Sequence, residues 1–431
     1  MSLADRINEK TARVGIIGMG YVGLPLAITI AEAGLKVTGI DLDKEKVAMI
    51  NKGESYIPDV DQAAIKELVD TGRFDATADF SALARMDVIS ICVPTPLNEM
   101  HEPDISYVRA AATEIAKFLK QDQLVILEST TYPGTTEEVV LPMLEESGLT
   151  VGQGFYLAFS PERVDPGNKT YGIDNTPKVV GGVTEGCTEH ARSFYSQFVK
   201  MVVPVSSTKA AEMTKLLENI FRCVNIALVN ELMLLCDRMD INIWEVIEAA
   251  ASKPFGFMPF LPGPGLGGHC IPIDPFYLSW KARQYDFHTE FIELAGKTNE
   301  SIPYYVVSKV GEALNEHEKS IKGSNVLVLG LAYKKDIGDT RESPALKVIS
   351  LLEKRGAHIL YHDPYVDEQI IDTKTYTSVE LTPDIVTKSD CVLVVTDHTE
   401  VDYNMVADNA KLIVDTRNKL KSLMGSHIVR I

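Results

Sequence analysis

Cys270 stands in the run Gly267-Gly268-His269-Cys270-Ile271-Pro272-Ile273-Asp274, a thiol in a glycine-rich turn with a carboxylate four residues on. The residues before it, Pro262 to Gly268, hold too much Gly and Pro for regular structure, so the thiol belongs to a loop, and loops carry sites. A thiol there can serve as a nucleophile. The competing reading of any one cysteine is a small buried hydrophobe, which fits Cys92, Cys223, Cys236 and Cys391. At Cys270 the flanking glycines let a ligand approach the backbone. His269 either lowers the thiol pKa or points away.

A second chemistry-bearing stretch is Gly18-Met19-Gly20-Tyr21-Val22-Gly23, which follows the apolar strand Arg13–Ile17 and opens an apolar helical run ended by Gly34. The next strand, Lys36 to Ile40, ends at Asp41, 23 residues beyond Gly18. That context turns a weak G-x-G-x-x-G match into a dinucleotide site. Gly18 would make the tight turn, Gly20 would admit the pyrophosphate and Gly23 would let helix and strand pack, with Tyr21 and Val22 beside the phosphates at the helix N-terminus. Asp41 would accept from the ribose hydroxyls and favour NAD over NADP, a preference that nearby Lys46 complicates. Thr95 and Thr130 end later strands of the same sheet; each alone is equally a strand-end hydroxyl.

The elements that must position these groups repeat a pattern. Apolar runs at 87–93, 124–127 and 155–159 end in Pro94-Thr95-Pro96, Glu128-Ser129-Thr130 and Ser160-Pro161-Glu162, which predicts a parallel sheet covered on both faces. From Ser207 to about Asp240 the period becomes helical, with Met213, Leu216, Leu217, Ile220, Val224, Leu228 and Leu232 assigned to one buried stripe. Lys215 and Asn219, at i and i+4, share another face, which reads as solvated unless it looks into a site. Strand-helix alternation resumes after Gly323, at 325–329, 357–361, 391–395 and 412–414. The expected fold is α/β, two Rossmann-like doubly wound parallel sheets joined by a central helical domain with a long spine helix.

With 431 residues the chain exceeds what one core supports, so two or three domains are expected. Against 60 acidic residues stand 42 basic ones, a net charge of −18 with no basic cluster, which excludes a nucleic-acid footprint. Six cysteines without a C-x-x-C pair read as reduced thiols. Met1 to Arg13 is polar, and no apolar run is judged to reach the roughly 20 residues of a membrane span. A cytoplasmic protein with no membrane partner and no metal site is expected.

Six ordered motifs together resemble the UDP-glucose/GDP-mannose dehydrogenase family over nearly the whole chain: Gly18–Gly23, Ser129-Thr130, Ser160-Pro161-Glu162-Arg163, Lys215-Leu-Leu-Glu-Asn219, Gly267–Cys270 with Asp274, and Tyr333-Lys334 with Asp339-Thr340-Arg341-Glu342-Ser343. Within the family, the runs at 160–168 and 253–275 look most like UDP-N-acetylglucosamine 6-dehydrogenases of surface-polysaccharide pathways. UDP-N-acetylmannosamine, UDP-glucose and GDP-mannose remain as alternative substrates, and a non-catalytic NAD and nucleotide-sugar sensor as a remoter reading.

The resemblance implies an NAD-binding domain at 1–206, a central dimerising domain with the thiol loop at 207–318, and a UDP-sugar-binding domain at 319–431 in a homodimer. It implies oxidation of a primary alcohol to a carboxylate with two NAD per turnover. Cys270 would carry a thiohemiacetal and then a thioester, Lys215 and Asn219 would serve the reacting oxygen, and Asp274 and Glu162 would handle water with Thr130 in support. Arg163, Val164, Arg222, Gly267, Lys334 and Arg417 join Lys215 and Asn219 at the nucleotide sugar, and Arg341 reaches the cofactor. The other reading of these cations is surface charge. Pro166 replaces a cofactor-binding glutamate common in the UDP-glucose branch.

Overall fold

The computed structural model describes residues 1–431 except Pro58, Asp59, Glu99, Met100, His101, Pro166, Gly167, Lys169, His269, Cys270 and Met424. The chain divides into two compact units, residues 1–218 with 276–287, and residues 219–275 with 288–431.

Among the described residues the first unit is built on eight strands: β1 Arg13–Ile17, β2 Lys36–Ile40, β3 Phe74–Thr77, β4 Val88–Ile91, β5 Gln123–Leu127, β6 Phe155–Phe159, β7 Lys178–Gly182 and β8 Val202–Pro204. Their order in the sheet is β3-β2-β1-β4-β5-β6-β7-β8, parallel except where β6 meets β7. Continuous apolar strands such as Gln-Leu-Val-Ile-Leu are buried on both sides, as the sequence pattern requires. One apolar cluster around Leu24, Ile30 and Phe194 covers one face; another, with Ile89, Ile115 and Phe155, covers the other. Strand order reverses between β1 and β4, and at such a switch point a crevice opens beyond the strands' carboxyl ends. The residues that follow these ends are Gly18, Asp41, Cys92, Glu128 and Ser160.

The second unit holds β9 Asn325–Leu329, β10 His358–His362, an antiparallel hairpin of β11 Glu368–Ile371 and β12 Lys374–Thr377, then β13 Cys391–Val394, β14 Ile413–Asp415 and β15 Ile428–Arg430. Its main sheet, in the order β10-β9-β13-β14-β15, is parallel throughout. Its switch point lies between β9 and β13, next to the turn Gly330–Asp336.

The long helix is Thr208–Arg238, close to the span read from the period. The face assignment needs correcting. Leu216 is buried, but Met213, Leu217, Leu228 and Leu232 are exposed, and the inward positions belong to Glu212, Lys215, Leu216, Asn219, Cys223, Ala227 and Asn230. Burial is decided by what packs against the helix, so an apolar stripe does not have to face its own fold. By length and mean hydropathy this helix could also cross a membrane, an exception to the expectation that no segment would qualify.

Candidate active site

In the first unit the three glycines of the β1 turn have separable roles. Gly18 has φ +93°, and a Cβ there would lie 2.6 Å from the Cys92 carbonyl oxygen. A Cβ on Gly23 would stand 1.9 Å from the Gly18 carbonyl, so only glycine lets the helix start against the turn. At Gly20 a Cβ would meet nothing within 4 Å: the backbone there faces open space. The helix Gly23–Glu32 begins with no side chain capping its N–H groups, and Val22 sits at its N-cap. An open glycine beside uncapped amides fits a dinucleotide pyrophosphate.

Asp41 lies at the end of β2 as the spacing predicts, and the turn itself engages it. Its carboxylate accepts the Met19 N–H at 2.8 Å and the Asp43 N–H at 2.9 Å. Tyr56, missed in the sequence, donates its hydroxyl to the Met19 carbonyl, and the Lys46 ammonium sits 5.8 Å from the Tyr56 ring centre. Thr95 donates to the Thr130 carbonyl at 2.8 Å, tying the loops after β4 and β5 together.

Glu162 is held at one edge of a buried charge cluster. One carboxylate oxygen accepts the N–H groups of Arg163 and Val164, both at 2.7 Å, and the other accepts from the Lys178 ammonium at 3.1 Å. Burial pushes its pKa up, but Lys178 and these two amides outweigh that, and the carboxyl is held below its usual range. Arg163 is already partnered, by Glu218 at 2.6 Å and by the Pro177 carbonyl, so it would have to exchange these to meet a nucleotide sugar.

Lys215 is 7% exposed and Asn219 1% exposed, one turn apart on the long helix, so the solvated-face reading is overturned. In the second unit the Asn219 amide donates to the Asp274 carboxylate and its carbonyl accepts from Arg222 at 2.8 Å. Within this unit Asn219, Asp274 and Arg222, three residues singled out in the sequence, are thus joined by hydrogen bonds into one polar cluster.

Cys270 and His269 lie outside the described residues, but the loop that leads to them is described. Its glycines are explained by packing more than by ligand approach. A Cβ on Gly267 would meet the Tyr333 Cβ at 2.6 Å and Pro344 at 3.0 Å, and one on Gly268 would meet the Tyr333 ring at 3.0 Å. The Gly268 N–H donates to the Arg341 carbonyl. A Cβ on Gly263 would lie 2.6 Å from the Arg417 guanidinium, whose Nε donates to the Val395 carbonyl. Burial lowers the pKa of Arg417. Arg341 itself pairs with Asp339 at 2.6 Å.

The turn carrying Tyr333 and Lys334 has its own anchor, which sequence reasoning did not find. Asp363, buried after β10, accepts the Leu331 and Ala332 N–H groups at 2.6 and 3.0 Å and the His398 Nε2–H at 3.0 Å. The Asp336 N–H donates to His398 Nδ1 at 2.9 Å, which fixes the tautomer. His362-Asp363-Pro364 at a strand end was the only signal.

Three of the described cysteines are poor nucleophiles. Burial pushes the thiol of Cys92 well up, that of Cys223 to about 11 and that of Cys391 to about 12. Among the described residues no three His, Cys, Asp or Glu side chains gather as metal ligands.

Three family models match the chain in order: the NAD binding domain of the UDP-glucose/GDP-mannose dehydrogenase family over residues 12–199, its central domain over 209–301 and its UDP binding domain over 327–422. The chain belongs to the UDP-glucose/GDP-mannose dehydrogenase family. As such it is an NAD-dependent nucleotide-sugar dehydrogenase. It is 36% identical over 416 residues to UDP-N-acetyl-D-mannosamine dehydrogenase of Pyrococcus horikoshii, covering 95% of this chain and 96% of that one. It is also 36% identical over 364 residues to UDP-N-acetyl-D-glucosamine 6-dehydrogenase of Pseudomonas aeruginosa, covering 84% of each. The solved structure of the UDP-D-ManNAc dehydrogenase from Pyrococcus horikoshii superposes with TM-score 0.89 at 35% identity, over 97% of this chain and 99% of that one. The Rossmann-like sheets and the NAD site expected from the sequence agree with this membership.

Proposed function

We propose that the protein oxidises the primary alcohol of a UDP-2-acetamido sugar to the carboxylate, through a covalent adduct on Cys270. The observation that carries this reading is the buried Asn219–Asp274 pair on elements flanking the thiol loop, whose glycines pack against the Tyr333 turn of the UDP-binding domain. NAD supplies the hydride acceptor for each of the two oxidations. Lys215 and Asn219 hold the alcohol oxygen and the charge that develops on it as its proton leaves. The Cys270 thiolate adds to the aldehyde carbon, forming a C–S bond, and the oxygen takes a proton; oxidation of this thiohemiacetal leaves a thioester. Water, positioned by Asp274 and Glu162 with Thr130 nearby, breaks the C–S bond, giving the acid and the free thiol.

Lys334 and Arg417 supply cations for the UDP moiety, with Arg222 beside Asn219 and Arg163 available only by exchange. The domain bounds that go with this reading are 1–206, 207–318 and 319–431. The sequence runs at 160–168 and 253–275 favour UDP-N-acetylglucosamine. The longer coverage of the UDP-N-acetyl-D-mannosamine dehydrogenase relative shifts the preference to the mannosamine epimer. The exposed row Phe221, Leu228, Leu232, Leu235 and Met239 on the long helix supports a homodimer formed along it, in a soluble cytoplasmic enzyme that feeds surface-polysaccharide synthesis.

The deciding experiment measures NADH formed per sugar consumed with UDP-N-acetylmannosamine, UDP-N-acetylglucosamine and UDP-glucose. Two per acetamido sugar, with UDP-glucose inert, is the expected result. One per sugar would mean that oxidation stops at the aldehyde and that Cys270 has no covalent role.

A further inference from the structure

One buried cluster of ionisable side chains in the first unit joins Glu162 to groups that have no part in the scheme above. Lys178, at the start of β7, is 4% exposed at its side chain and lies between two carboxylates. Its ammonium donates to Glu128 at 2.8 Å and to Glu162 at 3.1 Å. The second Glu128 oxygen accepts the Tyr195 hydroxyl at 2.6 Å. Cys92, after β4, lies within electrostatic reach of Glu128, Lys178 and Glu162, and its buried thiol is held neutral. Glu128 immediately precedes Ser129-Thr130, and Glu162 follows β6, so one lysine joins the loops at two adjacent strand ends.

One cation cannot neutralise two carboxylates, and the cluster divides unequally. Glu128 is wholly buried and, among the described residues, has no backbone N–H partner at its side chain; burial pushes its pKa up. Glu162 has two amides as well as the lysine and stays ionised. A proton entering the cluster therefore goes to Glu128 and leaves Glu162 a carboxylate. Lys178 is in turn held charged by both acids, against the effect of its burial.

We propose that Lys178 is a positioning residue for thioester hydrolysis: it fixes the orientation and the negative charge of Glu162, so that this carboxylate can accept the proton of the attacking water. The proposal rests on the role given above to Glu162. No bond to Lys178 forms or breaks; the water proton passes to Glu162, the hydroxide adds to the thioester carbon and the Cys270 thiolate leaves. The lysine lies buried on a strand, and in this proposal it acts on the reaction only through Glu162.

The test uses the full-length enzyme with NAD and its acetamido sugar, comparing Lys178→Met, Lys178→Arg and Glu162→Gln. Pre-steady-state NADH release separates the oxidations from hydrolysis. Lys178→Met should retain the burst and its KM values while steady-state kcat drops by about tenfold or more. The acid limb of its kcat–pH profile should move up by roughly one pH unit or more, because an uncompensated buried carboxyl is protonated at higher pH. Lys178→Arg should restore both. A Lys178→Met enzyme whose kcat drops with an unmoved acid limb, or a Lys178→Arg enzyme no better than Met, would reduce Lys178 to a structural residue and overturn the proposal. Normal turnover and burst in Glu162→Gln would instead overturn the role of Glu162 itself, whatever Lys178 does.

Discussion

The side-chain amide of Asn219 donates to the carboxylate of Asp274 across 2.5 Å, and both residues are all but excluded from solvent. With one amide hydrogen committed, the contact to a substrate oxygen proposed for Asn219 falls to the other, whose direction is set by Asp274 on one side and Arg222 on the other. Replacing Asp274 by Asn removes a charge-assisted acceptor and sets amide against amide. Steady-state kinetics of Asp274→Asn should show kcat lowered by about a hundredfold, with KM for the sugar nearly unchanged. Unaltered kcat would remove both residues from the chemistry.

The glycine turn after β1 separates folding from binding. Gly20→Ala introduces a methyl into open space, so its Tm should match the parent while NAD affinity drops by about tenfold as the pyrophosphate is held off. Gly23→Ala forces the helix away from the Gly18 carbonyl and should lower Tm as well. Differential scanning fluorimetry with and without NAD reads both. Equal NAD affinity in Gly20→Ala would show that the cofactor does not approach there.

Glu212, fully buried on the long helix, accepts N–H groups from Gly134 and Thr136 and the Thr136 hydroxyl. Burial still dominates and raises its pKa to about 7. Because the folded carboxyl holds its proton above the pH at which the unfolded one releases it, stability is lost as pH rises from about 4.5 to about 7. The wild type should therefore lose roughly 3 kcal/mol relative to Glu212→Gln across that window, read from urea midpoints at several pH values. A pH-independent difference would mean that the amides keep Glu212 ionised.

The exposed leucines of the long helix should close a dimer. Leu228→Glu combined with Leu235→Glu places charges in that row, and light scattering after gel filtration should show the mass halve to that of one 47.5 kDa chain. An unchanged mass would place the subunit contact elsewhere.

Asp363 collects two turn amides and a histidine, and its loss leaves these donors buried without an acceptor. Asp363→Ala should destabilise by about 3 kcal/mol. Since Lys334 rides on the turn that Asp363 holds, calorimetric titration with UDP should show weaker binding even at temperatures where the variant is fully folded. Wild-type UDP affinity in the folded variant would separate this turn from the nucleotide.

Strands buried on both faces, the G-x-G-x-x-G turn with Asp41, and the long helix were all legible in sequence because each depends on local spacing. The Arg13–Ile17 and Lys36–Ile40 strands were read to the residue. The faces of the long helix were misread because Leu217 and Leu228 stay exposed among the described residues, whereas Lys215 and Asn219 are buried, Asn219 with Asp274 and Arg222 as polar partners. Lys178 was invisible for a different reason. In Lys-Val-Val-Gly-Gly a charged first residue looks like a strand edge, and only tertiary pairing with residues 50 and 16 positions away makes it a core group. Gly267 and Gly268 were noticed, but their neighbour Tyr333 lies far along the chain, so the space they create was assigned to a ligand.

That last contact links the inheritance of two segments. Because Tyr333 and Pro344 occupy the volume where Gly267 and Gly268 lack side chains, the thiol loop is shaped by a mould cast from the last third of the chain. Exchanging residues 319–431 for those of a relative with another sugar preference would import a different mould. A working chimera must move residues 262–268 together with its new C-terminal segment, and substrate preference and catalytic competence should evolve as one heritable block.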